Sequence, residues 1–218
     1  MNSTAPVGSL GSSWLFHPTD PKPLKMDLMS TAILYSYSSL LPGNGSIRLL
    51  RLMPNRDETA VIECQLLNYT LELGKSQGTH LYEALSYVWG NPDETVPILI
   101  GDHYFKVTKN LHAALLRLRN HSFERILWVD AICINQADDQ EKALQVQNMG
   151  KIYDQASRVI IWFGEGTDDS DQAFEDIRNA AEDEVTDTSE EANRSEEANE
   201  AIFKLLERSW FRRIWVRE

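Results

Sequence analysis

Asp130 is the carboxylate best placed for chemistry. Residues 126–129 form an unbroken apolar run that leads straight into it. Such a run suits a strand buried on both faces. Open α/β sheets bind ligands beyond the carboxyl ends of their strands. There Asp130 suits contact with a ribose hydroxyl, or the plainer task of capping backbone N–H groups. Asn135 and Gln136 follow shortly after. Their amides can hold a ligand or shape the exit into the next helix.

Trp89 offers a flat face for stacking on a base or nicotinamide, with Gly90 beside it; a core role is the plainer one. Ser86 and Tyr87 lie just upstream. They suit the lining of a nucleotide pocket, or simply a tightly packed sheet. Cys133 has no His near it in sequence, so a buried structural thiol is a simpler reading than a nucleophile. The His residues show neither i, i+4 pairing nor a Cys partner, and no metal site is expected. Gly43 and Gly45 precede a strand pattern rather than a helix, so they form no phosphate cradle.

The elements that must position these residues can be read in order. Residues 1–45 are rich in Ser, Pro and Gly and are expected to be a poorly ordered arm, with 26–37 a short helix or an extended strap. Residues 46–53 and 61–73 read as a β-hairpin. Residues 84–88 suit a buried strand. Gly101-Asp102 joins two further strands as a two-residue turn. Thr108 caps a helix whose Leu111, Ala114, Leu115 and Leu118 share a face. Asp138 to Glu141 opens another helix as a capping box, with Ala143, Val146, Met149, Ile152 and Tyr153 inward. Residues 158–163 read as a third buried strand.

Right-handed crossovers make the three buried strands parallel, with the strand before Asp130 in the middle. Residues 169–181 suit a helix with Ala173, Ile177 and Ala180 inward. Residues 182–199 read as a solvated acidic linker. Residues 201–218 resume a helical pattern, with Ile202, Leu205, Leu206, Ser209, Trp210 and Ile214 on one face. Trp128, Trp162 and Trp210 are expected in the core. The expected fold is α/β: a parallel sheet with flanking helices, preceded by a β-hairpin and incomplete at its C-terminus.

Composition limits the function. With 218 residues, 42% hydrophobic, the chain can bury one sizeable core. The net charge of −12 excludes a broad basic surface for nucleic acid. That charge is local. Between Glu165 and Glu200 stand 15 acidic residues against Arg178 and Arg194, leaving the rest near neutral. Two distant cysteines suit a reducing compartment. The N-terminus lacks a basic lead, and the uncharged stretch 28–41 is too short to span a bilayer. A cytoplasmic protein without a membrane span is expected.

Three segments together resemble the fungal heterokaryon incompatibility (HET) domain family. They are YEALSYVWG at 82–90, LWVDAICINQ at 127–136 and RSWFRRIWVRE at 208–218. The resemblance covers roughly residues 46–218. It implies a signalling module in non-self recognition and programmed cell death, working through protein partners or self-association. HET domains are in turn similar to TIR domains, which have a flavodoxin-like sheet. That similarity implies NAD as a substrate and Glu218 as the catalytic acid of nicotinamide release. The family pattern has Glu four residues after Trp. Here Glu218 stands three after Trp215, which turns the carboxylate about 100° around a helix. An inactive member acting only by binding is the third reading.

Overall fold

The computed structural model describes residues 34–40, 45–71, 81–166, 168–182 and 202–212. All lie within the unit Ile33–Glu218. Most of the N-terminal arm, the acidic stretch 183–199 and Glu218 fall outside the described residues.

Strands β1 (Ser46–Leu52) and β2 (Glu63–Thr70) form the expected antiparallel hairpin, with Ser46 opposite Thr70 and Leu52 opposite Cys64. β3 (Glu83–Tyr87) follows. β4 (Thr95–Ile100) and β5 (His103–Thr108) are antiparallel, joined by a turn in which Gly101 takes φ +59°. Positive φ is where glycine carries no Cβ penalty. Thr108 Oγ1 accepts from Leu111 N and caps α1 (Lys109–Leu118), which buries Leu111, Ala114 and Leu115. β6 (Arg125–Trp128) runs through Val129 into a single turn, α2 (Asp130–Cys133). Asp138 caps α3 (Asp139–Gln155) through Gln140 N and Glu141 N. β7 (Arg158–Trp162), α4 (Asp168–Glu182), a helical stretch at 202–206 and a 3-10 helix (Ser209–Arg212) complete the described chain.

Among the described residues seven strands form one mixed sheet in the order β5-β4-β2-β1-β6-β3-β7. β6, β3 and β7 are parallel, as the crossover argument requires. The order corrects one expectation. β3 lies in the middle of the parallel trio, and β6 sits between β3 and the antiparallel β1. The hairpin therefore belongs to the same sheet, because β6 spends its second edge on β1. The two crossovers, β3 to β6 and β6 to β7, run in opposite directions across the sheet. Right-handed connections thus place α1 and α3 on opposite faces.

β7 corrects a second expectation. It is an edge strand, with Val159 45% and Ile161 41% exposed. Among the described residues its apolar run has one sheet neighbour, β3, to hide against. The segment 201–218 also departs from one continuous helix. A turn at Glu207 and Arg208 separates the helical stretch from the 3-10 helix, and Leu206 is exposed while Leu205 is buried. In α4, Ala173 is buried but Ile177 is not. Trp128 is fully buried and packs edge-on against Tyr153 of α3, whereas Trp162 and Trp210 are only partly covered.

Charged side chains tie the strands together at the end remote from Asp130. Glu83, the first residue of β3, pairs with Arg125 of β6 at 2.6 Å and with Arg158 of β7. One carboxylate therefore pins all three parallel strands. Arg119, closing α1, donates to the carbonyls of Asp57, Glu58, Ala60 and Val61 and holds the β1–β2 loop.

Candidate ligand cleft

At the carboxyl ends of β3 and β6 the chain encloses a cleft of about 370 Å³. Val88, Trp89, Asp130, Ile134, Gln136, Lys142, Val146 and Met149 line it. Three sequence-predicted residues meet here: Trp89, Asp130 and Gln136. Asp130 lies past the last residue of β6, as the first residue of α2. Only 7% of it is exposed. Its Oδ2 accepts from Trp89 Nε1 at 2.9 Å and its Oδ1 from Ala131 N at 2.8 Å. The carboxylate thus acts as a strut for the indole. Gln136 Nε2 donates to Asp130 O at 3.0 Å, so the side chain turns back over α2.

Ser86, Tyr87 and Asn135 do not line the cleft. Ser86 is buried, and its Oγ accepts from Trp210 Nε1 at 3.0 Å. Tyr87 is 1% exposed and belongs to the core. Asn135 Oδ1 accepts from Ala137 N at 3.2 Å in a local turn. Gly90 shapes the loop. It takes φ +79°, and a Cβ there would come within 3.2 Å of Asn110 Cβ. Glu218 lies outside the described residues.

Asn110 is a residue that sequence reasoning missed. Its Nδ2 donates to Val88 O and its Oδ1 accepts from Trp162 Nε1 at 2.9 Å. It therefore ties the ends of β3 and β7 to α1. The available signal was an Asn in the first turn of a helix, where its amide is free to reach a neighbour.

Arg48 was missed as well. It lies in β1 with 2% exposure and holds Glu141 of α3 by two bonds, of 2.6 Å and 3.0 Å. It also donates to Cys133 O and Ser38 O and lies 4.9 Å from the Tyr37 ring centre. Glu141 Oε1 in turn accepts from Asn135 N at 2.7 Å. This network fixes the exit from α2 against α3. It also explains half of the expected capping box. Glu141 spends its carboxylate on Arg48 and Asn135, while Asp138 N bonds Asn135 O. The sequence signal was an arginine set between Ile47 and Leu49 in a strand whose residues are mostly apolar.

The inward face of α3 also differs from expectation. Gln145 and Ile152 are buried, with Met149 and Tyr153 packed on the core. Gln145 Nε2 donates to Ser46 O at 2.8 Å, and this bond sets the helix rotation. Ala143 and Val146 are therefore exposed, Val146 on the cleft wall.

Burial pushes the Cys133 thiol up to about 12, and Cys64 likewise. Both stay protonated near neutrality, so Cys133 offers no thiolate. Burial likewise raises Tyr37, whose hydroxyl donates to Ile132 O at 2.8 Å. Among the described residues no cluster of His, Cys, Asp and Glu could hold a metal ion. No described helix is long and apolar enough to cross a membrane.

The sequence model of the family described as heterokaryon incompatibility protein (HET) matches residues 82–218. The chain belongs to this family. The matched part of the HET domain contains every residue that lines the cleft, while Arg48 lies before it. The chain is similar to heterokaryon incompatibility protein 6, OR allele, of Neurospora crassa. The identity is 30% over 236 residues, covering 87% of this chain and 34% of that protein. The chain thus spans about a third of the length of that relative. No solved structure matches it.

Proposed function

We propose that this HET domain is a signalling module of fungal incompatibility, acting in the cytoplasm in non-self recognition that leads to programmed cell death. The observation that carries this reading is the family match over 82–218. The name of the Neurospora relative supports it. Association with a protein partner or a second copy is the mode of activation. Exposed Leu144 on α3 and Ile161 on the edge strand β7 support such a contact. Induced expression in a fungal host tests it. Growth arrest is expected, and normal growth with abundant soluble protein would remove the reading.

A second reading is NAD cleavage. Its support is the position of the cleft, beyond parallel strand ends and walled by Trp89. The N-glycosidic bond breaks, nicotinamide leaves and water adds to the ribose. By resemblance Glu218 supplies the carboxylate that stabilises the oxocarbenium-like transition state. Concentrated protein incubated with NAD then releases nicotinamide. No release at any concentration ends this reading, and release that survives Glu218→Ala removes Glu218 from it. Growth arrest without nicotinamide release leaves action by binding alone.

A further inference from the structure

Val146 is a valine without a place in the core. The Gln145–Ser46 bond turns α3 so that Gln145, Met149, Ile152 and Tyr153 face inward. Val146 is left 53% exposed. It shares the cleft wall with Met149 and with Trp89, a residue 41% exposed. The indole is held in one orientation by its bond to Asp130. A fixed, half-open aromatic face beside two aliphatic side chains is a slot for a flat apolar body.

The slot is lined by one carboxylate and one ammonium, and only the ammonium is exposed. Asp130 is the carboxylate of the lining, and it is buried with both oxygens accepting N–H bonds. Lys142 lies one helical turn before Val146, is solvent-exposed and lines the same cleft. Among the described residues it forms no ion pair. Gln136 uses its Nε2 on Asp130 O and keeps Oε1 as an acceptor. The cavity volume lies at the small end of the range of ligand pockets, which is several hundred Å³.

We infer that the cleft binds a small planar molecule of one or two fused rings bearing a single carboxylate. The ring stacks on Trp89 and packs against Val146 and Met149. The carboxylate pairs with Lys142 Nζ at the mouth. Binding needs no bond to form or break. It gives the domain a small-molecule input, whichever response the domain drives.

The probe is 2-naphthoate, with neutral 2-naphthylmethanol as its control. The readout is the indole N–H region of a proton–nitrogen NMR spectrum of the full chain. Six Trp residues contribute to that region, and Trp89→Phe assigns the Trp89 peak. The Trp89 peak is expected to shift saturably with 2-naphthoate. The alcohol should bind about fivefold more weakly, the scale of one exposed ion pair. Lys142→Gln should bring the two affinities together, and Val146→Asp should abolish saturation while the rest of the spectrum stays folded. Three results would overturn the inference: no saturable shift of Trp89, equal shifts of most indole peaks, or an undiminished preference for the carboxylate in Lys142→Gln.

Discussion

Trp89 Nε1 donates to Asp130 Oδ2 at 2.9 Å, joining residues 41 positions apart in sequence. The bond links the loop after β3 to the start of α2. It ties one wall of the cleft to the end of β6. Asp130→Ala strands the indole N–H and removes the acceptor for Ala131 N. The expected loss is about 1–3 kcal/mol, read from urea unfolding. Trp89→Phe removes the donor alone. A double-mutant cycle between the two should show coupling of about 1 kcal/mol, and independent effects would mean that the bond holds nothing.

The Arg48–Glu141 pair is a second structural hinge point. Both side chains are largely buried, and Glu141 also accepts from Asn135 N. Glu141→Gln leaves the guanidinium buried without its counter-charge. The expected cost is about 3–5 kcal/mol. Arg48→Met combined with Glu141→Leu should cost clearly less than the sum of the single changes. Chemical denaturation of the four proteins checks this.

The two thiols give a pH dependence with a defined sign. Cys64 and Cys133 rise from an ordinary value of 9.0 to about 12 because burial disfavours the thiolate. Between those values the unfolded chain has released the proton and the folded chain has kept it. Stability from this source is therefore complete below pH 9.0 and falls as pH rises towards about 12. Replacing both cysteines by alanine should flatten that alkaline decline in unfolding measurements. Native protein at pH 8 should also resist thiol reagents, and both thiols should react once it is unfolded.

Much of the fold was legible where the signal is local. The hairpin turn at Gly101, the caps at Thr108 and Asp138, and the strand runs are set by a few adjacent residues. What failed depends on distant partners. The place of β3 between β6 and β7 follows from pairing edges that no sequence run displays. The residues 158–162 look as apolar as a central strand, yet they form an edge. The rotation of α3 is set by a buried glutamine that hydropathy counts as polar surface. That Trp89, Asp130 and Gln136 come together at the cleft was legible because they flank the ends of recognisable strands. The place of Lys142 and Val146 on the cleft wall was not, because it depends on that helix rotation.

Gly90 and Asn110 make a paired test of the loop that carries Trp89. Gly90 sits at φ +79°, and a Cβ there would press on Asn110 Cβ at 3.2 Å. Gly90→Ala should cost about 1–2 kcal/mol through the left-handed backbone alone. Asn110→Ala leaves the Trp162 N–H and the Val88 carbonyl without their amide partner. It should cost about 1–3 kcal/mol. Thermal unfolding of both variants checks these values.

Growth of a filamentous fungus after induced expression tests the signalling role most directly. Wild-type chain and Trp89→Ala are compared at matched levels of soluble protein. Trp89 is partly exposed, so its loss removes the cleft wall with little loss of core. The wild-type chain should arrest growth, and Trp89→Ala should not. Normal growth with abundant soluble wild-type protein would contradict the signalling role, and equal arrest by both chains would contradict the part assigned to the cleft.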